Sequence, residues 1–118
     1  MKAIKRRRLL GVLLAFSFGG FLAASLAQAS LTTATIAQVL VWSAGNLVYV
    51  YPVGGITSSP ACGAAAPYYS FSYSRPMASA YLAALLAAQA SGATVDIWGT
   101  GACTDQSTSE TLDYFRVD

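Results

Sequence analysis

The chain opens on a basic cluster, Lys2, Lys5, Arg6, Arg7 and Arg8, and then runs almost without polar residues from Leu9 to Leu26. Ala27-Gln28-Ala29 follows, two small residues spaced as a leader peptidase requires. A basic start, an apolar middle and an A-x-A site predict a secretory signal peptide over 1–29. The competing reading is an uncleaved membrane anchor, because the run approaches the roughly 20 residues that cross a bilayer. Gly19-Gly20 interrupts the run and small residues flank the cut, which favours cleavage. The Ala-rich stretch 77–91 carries Ser79, Gln89 and Ser91 and is too short to span, so no membrane span is expected after cleavage.

Beyond the leader the pattern alternates between strand-like and helical periods. Residues 34–42 are rich in β-branched and aromatic side chains and predict a first strand. Ser43-Ala44-Gly45-Asn46 reads as a turn, and Leu47-Val48-Tyr49-Val50-Tyr51 as a second strand stopped by Pro52 and Gly54-Gly55. Residues 53–67 are punctuated by Pro and Gly and read as an irregular loop. From Tyr68 to Tyr73 aromatics alternate with serines, the signature of a third strand. Ser74 suits a helix cap and Pro76 a first turn, so Met77 to Ser91 is predicted as a helix closed by Gly92. Thr94 to Trp98 and Leu112 to Val117 complete five strands. The order β-β-β-α-β-β is mainly β with one helix, and it fits a five-stranded OB-fold-like barrel. An open antiparallel sheet crossed by the helix is the alternative, since closure depends on twist and register.

The first hairpin sorts its side chains by parity. A two-residue turn at Gly45-Asn46 would pair Trp42 with Tyr49, Val41 with Val50 and Leu40 with Tyr51. Val39, Val41, Val48 and Val50 then share one face, and Gln38, Leu40, Trp42, Tyr49 and Tyr51 the other. The aliphatic face suits an interior. The aromatic face suits a ligand or a partner surface, or ordinary cross-strand pairing under the 53–67 loop. In the fourth strand Val95 and Ile97 should point inward, leaving Asp96 and Trp98 outward. A carboxylate beside an indole can accept sugar hydroxyls and stack on a sugar ring. In the helix, Met77, Tyr81, Leu85 and Ala88 form a stripe that Leu82 and Leu86 widen, as core packing requires.

Composition changes meaning once the leader is set aside. The whole chain has 118 residues and a formal charge of +2, but only Arg75 and Arg116 lie beyond residue 29, against five acids. The domain over 30–118 is therefore acidic and lacks lysine, which excludes a basic nucleic-acid footprint. There is no histidine, so His-dependent nucleophilic and metal chemistry is excluded. Asp105, Glu110, Asp113 and Asp118 cluster near the C-terminus, where solvated acids are common. A glycosidase would need two carboxylates facing each other across a cleft, and no such pair stands out. No enzyme activity, cofactor or metal is expected. Cys62 and Cys103 are the only cysteines. In an oxidising compartment they predict one disulfide; a redox or metal-binding pair is the weaker reading, because C-x-x-C spacing and further ligands are missing.

The stretch from Ser70-Phe71-Ser72 through Arg75-Pro76-Met77, Tyr81 to Gly92, Val95, Ile97, Gly99-Thr100-Gly101 and Cys103 resembles a group of small exported bacterial proteins of unassigned function. More remotely, the layout of the domain is similar to the OB-fold binding subunit of subtilase cytotoxin, an AB5 toxin. That resemblance implies a homo-oligomer, a ring of five, that binds cell-surface glycans. The expectation is a secreted or periplasmic binding module using Trp42, Tyr49, Tyr51, Asp96 and Trp98 toward a glycan or protein. The alternative is a periplasmic protein-interaction domain, such as an inhibitor or an envelope assembly factor.

Overall fold

A computed structural model describes residues 29–118, so the leader predicted over 1–29 lies outside the described residues except for Ala29. Six strands and one α-helix follow: β1 Leu31–Ala34, β2 Ile36–Trp42, β3 Leu47–Pro52, β4 Tyr69–Ser72, α1 Ala78–Ser91, β5 Val95–Gly99 and β6 Leu112–Val117. They build two three-stranded antiparallel sheets, ordered β1-β5-β6 and β2-β3-β4. The chain is thus mainly β, as expected, but with six strands rather than five and no closed barrel among the described residues.

The additional strand comes from the start of the domain. The strand predicted over 34–42 begins instead at Leu31 and breaks at Thr35, whose carbonyl accepts the Val53 amide at 2.9 Å. Its first part pairs with β5 and its second with β3, so one stretch of chain serves both sheets. On the other side the sheets meet at a single parallel bridge, Ser70 to Thr111, with the Ser70 amide bonded to the Glu110 carbonyl at 3.0 Å.

The β2–β3 hairpin is closed by four residues, not two. Ser43–Gly45 form a 3-10 turn and Asn46 takes the left-handed conformation at φ 56°. Asn46 tolerates that region because its short amide side chain bonds locally. Here it donates to Ser74 Oγ at 2.7 Å. Trp42 consequently pairs with Leu47, Val41 with Val48 and Val39 with Val50, a shift of two from the predicted register. A shift of two preserves parity, so the faces stay as the sequence sorted them. Val48 and Val50 are fully buried, whereas Trp42 is 45% exposed. Val41, assigned to the interior with them, is instead 58% exposed at the hairpin end and is no part of the core.

Helix α1 closes the core against β2. Leu85 and Ala88 are buried, with Tyr81 and Leu82 packed at the margin, while Met77 and Leu86 are exposed. Met77 therefore belongs outside the predicted stripe. Helix α1 starts at Ala78 and Ser74 does not cap it, because residues 72–78 make two successive turns and Met77 itself turns left-handed. The other end follows expectation. Gly92 is left-handed, its amide bonds Gln89 O at 3.3 Å and the Ala93 amide bonds Ala88 O at 3.0 Å, a Schellman closure. The core joins Ile36, Val48, Val50, Tyr69, Phe71, Leu85, Val95, Ile97 and Leu112 from both sheets and the helix.

A polar row runs through this interior. Glu110 is fully buried, which corrects its reading as a solvated acid. Its carboxylate accepts the Ser30 amide at 3.2 Å, the Ser30 hydroxyl at 2.7 Å and the Gly101 amide at 2.9 Å. A carboxylate can only accept, so the Ser30 proton is committed and Tyr69 must donate to Ser30 Oγ at 2.7 Å. Thr32 in turn donates to Tyr69 at 2.9 Å, and the Thr57 amide to Thr32 at 3.0 Å. Four donors align toward one buried charge. Burial, and then the Glu110 charge, push the Tyr69 hydroxyl up from its ordinary value against these bonds. The Cys62–Cys103 disulfide forms as predicted, and brings residues 61–63 against this corner: a Cβ on Gly63 would meet the Glu110 amide.

Candidate functional site

The outward face of the β2-β3-β4 sheet carries a row of rings. Trp42 and Tyr49 lie 6.1 Å apart by centroid, Tyr49 and Tyr68 4.6 Å, and Tyr68 and Tyr51 4.9 Å. β3 supplies Tyr49 and Tyr51 at alternate positions, which fixes both on one side of the pleat. Tyr68 comes from the residue before β4 and folds back over them. Trp42 leans on the hairpin turn, where a Cβ at Gly45 would lie 2.5–2.6 Å from its indole carbons. Only glycine leaves the ring room to lie there.

The loop after Cys103 braces the row. Gln106 donates to the Tyr49 hydroxyl through Nε2 and accepts from the Tyr68 hydroxyl at 3.0 Å through Oε1. Its Oε1 also accepts the Ser109 hydroxyl at 2.6 Å, so one amide holds two phenols in fixed rotation. Tyr49 is 9% exposed, and burial with its phenolic neighbours pushes its hydroxyl up from the ordinary value. It acts as the bed on which Tyr68 stacks. Trp42 and the half-buried Tyr51 and Tyr68 are the rings that meet solvent. Tyr68 and Gln106 were not among the sequence candidates. The tandem Tyr68-Tyr69 was a visible signal, but the pairing of Gln106 with a hairpin 57 residues away was not.

Asp96 and Trp98 stand elsewhere, on the outward face of the β1-β5-β6 sheet, and do not join the row. Trp98 stacks on Tyr114 at 4.6 Å with planes 11° apart, and the Arg116 guanidinium sits 5.9 Å from the indole centroid. Asp96 is 7% exposed and already engaged, accepting from Thr33 at 2.6 Å and from Arg116. The Thr33 hydrogen bond, and after it the Arg116 guanidinium, hold its carboxyl below the usual carboxylate range. Its acceptor positions serve the sheet. A group whose native pKa is depressed contributes stability above its ordinary value and loses it as pH falls through the depressed one. Denaturation midpoints should therefore drop as pH falls below about 4, and Thr33→Val should flatten that drop. An unchanged acid profile in Thr33→Val would remove Asp96 from the account.

The C-terminal acids do not face one another across a cleft. Glu110 is inside, Asp105 accepts the Ser72 amide at 2.8 Å, and Asp118 pairs with Arg116 at 3.3 Å. Among the described residues no group of three His, Cys, Asp or Glu side chains could hold a metal, and no helix is long and apolar enough to cross a membrane. No protein-family model, curated protein or solved structure matches the chain.

Proposed function

We propose that the chain is an exported, non-enzymatic binding module of OB-fold-like layout that takes a glycan on the Trp42–Tyr68–Tyr51 row. The strand neighbours support the layout. β1 and β2 act as one bent strand, β3 and β4 follow beside it, and the parallel Ser70–Thr111 bridge leads to β6, which pairs with β5 and so returns to β1. In that architecture the face of the second and third strands, flanked by the first and fourth interstrand loops, is the common site for oligosaccharides. Here the corresponding positions are β3, the 43–46 turn and the loop holding Gln106.

The observation that carries the reading is that the rings converge on this face and are locked before any ligand arrives. Flat rings suit the apolar faces of pyranoses, and phenol hydroxyls beside an amide suit their rims. Preorganisation by Gln106 lowers the ordering cost of binding.

One further observation favours a protein partner. Val41, Trp42, Leu47, Tyr73 and Leu82 line an apolar depression at the hairpin end, and Val41 and Tyr73 are 58% and 42% exposed. Trp42 borders both surfaces, so one substitution on each surface away from Trp42 separates them. On a glycan array the wild-type chain should bind, and Tyr51→Ala should weaken binding roughly tenfold, as truncating an aromatic contact residue does. Val41→Ser should leave it unchanged. Binding to no glycan, or loss with Val41→Ser alone, would sink the sugar reading and favour the protein surface.

A further inference from the structure

We infer that the α-ammonium group created when the leader is cut between Ala29 and Ser30 becomes the counter-ion of the buried Glu110 carboxylate. The inference rests on the export reading of residues 1–29 and extends it into the fold.

A carboxylate with no exposure requires pairing or dense hydrogen bonding. Glu110 has three donors, but among the described residues no cation bridges it. Both arginines beyond residue 29 are committed elsewhere. Arg116 holds Asp96 and Asp118, and Arg75 donates to the Leu112 and Asp113 carbonyls with its guanidinium 5.0 Å from the Tyr81 ring centroid. Beyond residue 29 the sequence offers no lysine and no histidine. The remaining cation available to a chain beginning at Ser30 is its own terminus.

That terminus is already in place. Ser30 N lies 3.2 Å from Glu110 Oε2, and the A-x-A site puts the cut on the bond that joins this nitrogen to Ala29. Ala29 is exposed and Ser30 is 1% exposed, so the bond sits where surface gives way to interior. Hydrolysis by the leader peptidase breaks the Ala29 C–Ser30 N bond. Water supplies the hydroxyl to the Ala29 carbonyl carbon and a proton to the nitrogen, which takes a second proton from solvent to become an ammonium. An amide donor is thereby replaced by a charged one at the same position, and charge-assisted bonds are the stronger kind. The Ser30 carbonyl stays fixed by the Gly99 amide at 3.0 Å, so Ser30 does not need Ala29 to hold its place. The bare Gly99 Cα lets the Glu110 head reach this nitrogen.

A chain starting at Ser30 has a single amine, which makes the test specific. The exported protein is purified, its start is read by intact mass, and it is treated with an acetylating succinimidyl ester at neutral pH. A start at Ser30 is expected, with acetylation at least about 100-fold slower than in guanidinium, because reaction must wait for opening of β1. Glu110→Gln should speed labelling of the folded chain about tenfold, since the terminus loses its charged partner. A refolded chain that keeps Ala29 should label at the unfolded rate and melt about 5–10 °C lower. A mass retaining the leader, or a start elsewhere, overturns the export reading and the inference with it. A Ser30 start that labels as fast as the unfolded chain, or an Ala29 chain with the same melting temperature, overturns the ion pair alone.

Discussion

Gly99→Ala is expected to lower folding stability by about 3–5 kcal/mol, the scale of an uncompensated buried charge, read as a shift in the guanidinium midpoint. Nothing in the backbone opposes alanine there. Gly99 lies within β5, and its φ is not in the left-handed region. The obstacle is the Glu110 head, since a Cβ built on Gly99 would overlap both carboxylate oxygens and the carbon between them. A neighbour that is the end of a flexible side chain can often give way. This one cannot do so without leaving the Ser30 amide, the Ser30 hydroxyl and the Gly101 amide unpaired in the interior. Each orphaned buried donor costs about 1–3 kcal/mol. The proof lies in the double variant. With Glu110→Ala already present the Gly99 methyl enters vacated space, so Gly99→Ala should then be close to neutral, and the coupling should recover most of the single-variant loss. Equal losses in both backgrounds would show that the glycine serves something other than the carboxylate.

The contrast between this corner and the hairpin explains what could be read from the residues alone. Hairpin faces follow parity, and parity survives a register error of two, so Val48 and Val50 were assignable to the interior even though the turn has four residues rather than two. Gly92 after an Ala/Leu run is a local signal for a helix end, and two cysteines leave one simple pairing. The burial of Glu110 has no local signal. It depends on donors 80 and 9 residues distant and on a glycine whose relevant property is an absent atom. The same holds for Asp96, which reads as outward by alternation. It is indeed on the outer face, yet Thr33 and Arg116 from the two flanking strands enclose it. The strand β1 went unread, although Leu31-Thr32-Thr33 has strand composition, because it directly follows the predicted leader and pairs only with the distant β5. The aromatic row was half visible. Tyr49 and Tyr51 came from period two, whereas Tyr68 and Gln106 reach the row only through tertiary folding.

Reducing the Cys62–Cys103 bond should lower stability by about 4 kcal/mol, the loop-closure value for some 40 residues, and the melting temperature by roughly 15–30 °C in a domain of this size. The separation is 41 residues, and the closed loop contains β4, α1 and β5. The unfolded chain therefore gains most of the domain's freedom when the tether is cut. The folded state loses something as well. Gly63 rests against the Ser109–Glu110 backbone, and Ser109 holds Gln106, which in turn fixes Tyr49 and Tyr68. Loosening the Cys62 segment thus reaches the ring row through three contacts. Two measurements separate these effects. Thermal melting of the wild-type protein with and without dithiothreitol, beside the Cys62→Ala/Cys103→Ala variant, reads stability, and ring-current-shifted resonances of Tyr49 and Tyr68 read the row in the folded fraction. A reduced wild-type protein melting within about 5 °C of the oxidised one would mean that the unfolded chain is already compact around this loop. Unmoved tyrosine resonances with a large melting shift would confine the disulfide's action to the unfolded ensemble, and would leave Gln106 as the brace of the ring row.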